Sequence, residues 1–142
     1  MKVASTLLFC SLLMTQSNSF AKEDKLKACP SSPNCVSSQA TGSHAIAPFL
    51  LIQPSEESWQ KVISALAEMP RTDIIFSDEK CLHAEVTSQI FRFVDEIDFI
   101  FNKVEKRIDI RSASRVGYSD FGVNRKRLET LRETLQRANT IQ

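Results

Sequence analysis

The chain has 142 residues, 42% of them hydrophobic and 25% charged, with 18 Lys and Arg against 17 Asp and Glu. That length suits one domain. The near-neutral balance excludes a global electrostatic pull toward nucleic acid or an anionic membrane, so any charge-driven function must come from local clusters.

Residues 1–21 read as a secretory signal. Lys2 gives a positive start, Val3 to Met14 is mostly apolar, and Ser19-Phe20-Ala21 offers small residues where a signal peptidase cuts. A spanning helix needs about 20 apolar residues, and Thr15 to Ser19 is polar. An uncleaved anchor is therefore the weaker reading. Cys10 sits inside the apolar run behind the bulky Phe9, which does not fit a lipoprotein signal. Cleavage after Ala21 leaves 121 residues, 22–142, as a single domain, and removal of Lys2 brings the charges to 17 against 17. The expected location is periplasmic or secreted. After cleavage the protein is not expected to be integral to a membrane.

Cys29, Cys35 and Cys81 remain, an odd number in a compartment that permits disulfides. Cys29 can pair with Cys35 across a loop containing Pro30 and Pro33, or Cys81 can take one of them; spacing alone does not choose. A zinc site is not expected, because His44 and His83 are the only histidines and no second close cysteine pair exists. No residue pattern assigns a metal or a cofactor.

From Ala28 to Gln53 the chain is Pro-, Ser- and Gly-rich with an apolar patch at Ile46–Ile52, and prolines at 30, 33, 48 and 54 deny it a helix interior. It reads as an extended arm. Ser55 then caps a helix with Glu56 and Glu57 in its first turn. Trp59, Val62, Ile63, Leu66 and Met69 share one face, and Pro70 ends it. Four strands follow, near 72–77, 80–88, 97–102 and 105–113, with Asp78-Glu79 as a hairpin turn. In the second, Leu82, Ala84 and Val86 alternate with Cys81, His83, Glu85 and Thr87. Ile90-Phe91-Arg92-Phe93 suits a further short strand or a covering loop. A last helix from about Asn124 to Arg137 buries Leu128, Leu131, Leu135 and Ala138. The predicted fold is an α+β two-layer sandwich: an antiparallel sheet of about four strands, two helices on one face, and the extended N-terminal arm.

The segment from Ser112 to Arg127 carries the sharpest chemical signal. It holds Gly117, Gly122 and the single tyrosine, Tyr118. Asn124 is a candidate helix cap. Arg125, Lys126 and Arg127 place positive charge at a helix N-terminus, where it is disfavoured. Asp120 can offset this by pairing with Arg127 or Arg115. Alternatively, an anionic ligand is held by helix N–H groups and arginine forks. The binding candidates are Arg115, Asp120, Asn124, Arg125 and Arg127. Weaker candidates are a Cys81–His83 nucleophile pair or a His83–Glu85 proton-sharing pair on one strand face. The acidic run Asp95-Glu96-Ile97-Asp98 reads as a surface turn rather than a cation loop.

Two motifs in combination carry a resemblance. Cys29-Pro-Ser-Ser-Pro-Asn-Cys35-Val-Ser-Ser38 is followed far downstream by Ser114-Arg115-Val-Gly117-Tyr-Ser-Asp120-Phe-Gly122-Val-Asn124-Arg125, with Val94-Asp95-Glu96-Ile97-Asp98-Phe99 between them. Together they resemble the family called domain of unknown function 1499, over residues 28 to about 137. The resemblance implies an envelope or plastid protein and supplies no reaction.

The expectation is thus an exported, non-enzymatic binding or accessory module of the cell envelope with an anion-binding surface. Its partner would be an envelope component or small anionic ligand, and not nucleic acid. The rival is an enzyme on an anionic envelope substrate, with Arg115 and Arg125 clamping it and His83 or Asp120 moving a proton. A third reading is a redox protein using Cys29 and Cys35.

Overall fold

A computed structural model describes residues 25–142; the signal assigned to residues 1–21 lies outside them. The element order is β1 (Cys35–Ser37), a 3-10 turn (Gly42–His44), β2 (Phe49–Leu50), α1 (Glu56–Ala67), β3 (Thr72–Ser77), β4 (Cys81–Thr87), β5 (Val94–Asn102), β6 (Arg107–Ser114) and α2 (Val123–Arg137). The fold is α+β. The antiparallel sheet has six strands in the order β1-β6-β5-β4-β3, with β2 also paired to β6. The two extra strands come from the N-terminal stretch, whose apolar Val36 and Phe49 give it something to bury beside β6.

Local chemistry sets the boundaries. Ser55 caps α1, its hydroxyl accepting the Ser58 N–H at 3.1 Å. The β3–β4 hairpin turns on Asp78, whose carboxylate accepts the Lys80 and Cys81 N–H groups at 2.8 and 2.6 Å. Residues 88–93 form the β4–β5 turn rather than a strand, closed by Ser88 N–H donating to the Phe93 carbonyl at 2.8 Å. A bulge at Ile75 shifts the β3 register, so Phe76 rather than Ile75 pairs with His83.

Period-two alternation gives the sheet two unlike faces. Leu82, Ala84 and Val86 join Ile97, Phe99, Phe101, Ile108 and Ile110 in the core, together with Trp59, Val62 and Leu66 of α1 and Leu128, Leu131 and Leu135 of α2. Ala138 lies past the end of α2 and is exposed, so it does not extend that stripe. Trp59 is fully buried, stacks on Phe101 and donates its indole N–H to the Asp78 carbonyl at 2.8 Å. Each such large apolar side chain contributes about 1.5–3 kcal/mol by leaving water. The opposite, outer face carries Cys81, His83, Glu85, Glu96, Asp98 and Arg111. Among the described residues, no helix is long and apolar enough to cross a membrane.

Candidate functional site

The start of α2 is a buried polar knot. Gly122, at φ 79°, is the N-cap, a left-handed conformation that glycine adopts without strain. Asn124 therefore lies inside the helix rather than capping it, and it is fully buried. Its side-chain oxygen accepts from Ser112 Oγ at 2.5 Å and Arg127 Nη1 at 2.9 Å. Its amide donates to the Asn34 carbonyl, Ser114 Oγ and Asp120 Oδ2 at 3.3, 3.0 and 2.8 Å. One side chain thus ties the Cys29–Cys35 loop, β6 and α2 together.

The charged residues of that segment separate. Asp120 pairs with neither Arg127 nor Arg115; its carboxylate accepts the Gly122 and Asn124 N–H groups at 2.8 and 3.1 Å. Those bonds supply the acceptors a helix start needs. Arg127 is largely buried and donates to Asp95 Oδ2 at 2.6 Å. Arg125 donates to the Ser43 and Ala45 carbonyls at 3.0 and 2.8 Å. It also borders a small cleft of about 260 Å³ with Asp120 and His44. Arg115 points the other way, to Glu85 and Glu96 of the outer face. Those two carboxylates, Glu85 first, hold its guanidinium above the ordinary arginine range.

The acidic run is likewise divided by strand alternation. Asp95 faces the knot, while Glu96 and Asp98 face outward. His83, Asp98 and Arg111 stand in register across β4, β5 and β6. One Asp98 oxygen lies within hydrogen-bond distance of His83 Nδ1, at 2.7 Å, and the other accepts from Arg111 Nη1 at 2.9 Å. Arg111 is only 3% exposed, and its Nε has no hydrogen-bond partner among the described residues. A buried charged donor without an acceptor is uncommon and calls for an explanation.

The N-terminal stretch lies against this outer face. Cys29 is disulfide-bonded to Cys35, so Cys81 takes neither of them, and the Leu26 N–H donates to Gln39 Oε1 at 2.8 Å. Between the stretch and the sheet runs a cleft of about 450 Å³, bordered by Lys27, Glu96, Arg111 and Arg115 among others. A second, of about 400 Å³, is bordered by Phe76, Cys81, His83 and Asp98. Among the described residues, no group of three or more His, Cys, Asp or Glu side chains is placed to hold a metal ion.

Sequence reasoning missed Arg111, Asp98 and Lys27 as site residues. Asp109 and Arg111 alternate with Ile108 and Ile110, which puts Arg111 on the face opposite the core, and only the pairing register brings it to Asp98. No curated protein and no solved structure matches the chain. A family model matches residues 25–135, a span covering both cysteine-rich and arginine-rich motifs, and the chain belongs to that family, described as Protein of unknown function (DUF1499).

Proposed function

We propose that this is an exported, non-enzymatic binding or accessory module of the cell envelope that takes a small anionic group in the cleft between the N-terminal stretch and the outer face. The observation that carries this reading is the convergence of Lys27, Arg111 and Arg115 on one cleft, with a buried Arg111 whose Nε finds no hydrogen-bond partner among the described residues. An anion entering there would meet charge-assisted donors from separate parts of the chain. Glu96, also on the cleft wall, makes the site selective for groups that can accept from the guanidinium edges left uncommitted. Asp120, Asn124, Arg125 and Arg127 act in this reading as the scaffold that positions the loop above the cleft. Export is supported by the N-terminal pattern and by the Cys29–Cys35 disulfide, which suits an oxidising compartment.

The binding test uses inorganic phosphate as probe, in equilibrium dialysis against wild type, Lys27→Ala and Arg115→Ala. The expected result is a loss of about tenfold in affinity for each variant, in line with removing one charge-assisted contact, at an unchanged unfolding midpoint. Equal affinity in all three proteins overturns the assignment. Mass spectrometry of protein recovered from an exporting host should find Lys22 as the first residue; an intact Met1 would contradict cleavage.

A second reading has its own observation. The His83–Asp98 bond, braced by Arg111, is how a general base is oriented, and Cys81 borders the same cleft as His83. It requires turnover. Hydrolysis of p-nitrophenyl phosphate or p-nitrophenyl acetate that disappears in His83→Gln would favour an enzyme over a binding module.

A further inference from the structure

The molecule has one end that its core and its cleft leave unexplained. Ile90, Phe91 and Phe93 sit on the β4–β5 turn, and Val116, Tyr118 and Phe121 on the segment joining β6 to α2. Exposure is 80% for Ile90, 74% for Phe91, 77% for Tyr118 and 95% for Phe121. Both segments leave the same end of the sheet: Val94 pairs with Thr87, and the Arg115 N–H donates to the Val94 carbonyl at 2.9 Å. Scattered exposed apolar residues are ordinary, but six large ones on two segments that leave one end of the sheet are a candidate interaction surface.

Backbone geometry makes the display deliberate in a physical sense. Phe121 holds φ at 53° and Arg92 at 57°. The left-handed region is rarely occupied by a bulky side chain, and here it aims an aromatic ring into solvent. Phe91 and Phe93 stack at 5.7 Å between ring centroids, with Arg92 between them in sequence.

Charge selects the occupant. Residues 88–93 and 115–121 contain two arginines, Arg92 and the Glu85- and Glu96-paired Arg115, and one carboxylate, Asp120. Arg71 joins this end by donating Nε–H to the Thr87 carbonyl at 3.1 Å, and exposed Lys126 lies on the first turn of α2. Arg71, Arg92 and Lys126 make no ion pair with another described residue. Of the nearby carboxylates, Asp120 is engaged in the helix cap, and Glu68 lies at the end of α1. Aromatic rings set among uncompensated cations match the boundary zone of a bilayer, where rings enter the acyl edge and cations meet anionic headgroups. The patch is borne on turns, not on a groove or a bare strand edge that would receive a peptide helix or strand.

We propose that this end is a peripheral docking surface for a lipid bilayer carrying anionic headgroups, with Phe91 and Phe121 as the inserting side chains and Arg92 as the headgroup contact. The inference does not rest on the anion cleft, although Val116 of the patch also borders that cleft.

The test places a reporter at the tip in the full chain. Phe121→Trp is mixed with phosphatidylcholine vesicles, with and without phosphatidylglycerol, bearing brominated acyl chains. Trp59 is fully buried and provides a constant background. The expected result is a blue shift and bromine quenching only with phosphatidylglycerol. In the same background, Arg92→Glu and Phe91→Ser should each lower partitioning about tenfold. Unchanged emission with both vesicle types overturns the proposal. So does an equal response to both types, which would remove the headgroup term. A shift produced only by an added envelope protein fraction would assign the surface to a protein partner instead, and would likewise overturn it.

Discussion

Truncation of Asn124 tests whether the arginine-rich segment is chiefly scaffold. Asn124→Ala removes five hydrogen bonds from a fully buried position. Some partners keep alternatives: Arg127 Nη1 still reaches Ser112 Oγ at 3.2 Å, and the Asn34 carbonyl still accepts the Ser114 N–H at 2.9 Å. At about 1 kcal/mol net per bond, and more for any group left unsatisfied, the expected loss is about 3–5 kcal/mol. A domain of this size has only about 5–15 kcal/mol in total. Urea denaturation followed by Trp59 fluorescence should show the midpoint falling by about 2 M at unchanged slope, given a slope of about 1–3 kcal/mol/M. Arg115→Ala, which loses only solvent-exposed ion pairs, should leave the midpoint within experimental scatter. The reasoning is refuted if Asn124→Ala unfolds at the wild-type midpoint, or if Arg115→Ala is as damaging as Asn124→Ala.

Three further outcomes are expected. Trp59→Ala, which empties the site stacked on Phe101 and frees the Asp78 carbonyl, should destabilise by about 3–5 kcal/mol in urea denaturation followed by far-ultraviolet circular dichroism. Replacing Cys29 and Cys35 with serine releases the stretch over the outer face; trypsin should then cut after Lys25 and Lys27 much faster while the sheet stays protected, as read by mass spectrometry. Unchanged cleavage rates would mean that other contacts hold the stretch. Lys61, at 2.8 Å on the next turn of α1, holds the Glu57 carboxyl below its ordinary value through hydrogen bonding and charge. The associated stabilisation is present above the ordinary carboxylate pKa and fades as pH falls through the lowered one. An NMR titration should show the Glu57 pKa rising in Lys61→Met; no movement would remove that cause.

Both helices and strands β3 to β6 were legible because their patterns are local. Ser55, Pro70 and the apolar stripe fix α1, and period-two alternation fixes β4. Strands β1 and β2 were hidden because segments of three and two residues are too short to carry a periodicity of their own. They become strands only because β6 offers an edge. The motif residues were legible as a group, but their division was not. Asp120, Asn124 and Arg127 face the knot while Arg115 faces the outer surface, a distinction that depends on where the chain turns at Gly117 and Gly122. The His83–Asp98–Arg111 alignment depends on register across three strands, which a single strand's alternation does not contain.

The central claim is that the cleft beside Arg111 and Arg115 receives an anion while the guanidinium groups at the start of α2 serve the fold. Side-chain Nε–Hε resonances of all arginines, followed by NMR during titration with inorganic phosphate, address both halves at once. The account predicts saturable shifts at Arg111 and Arg115 with Arg125 and Arg127 unmoved. Saturable shifts at Arg125 and Arg127 alone, or shifts at no arginine, would contradict it.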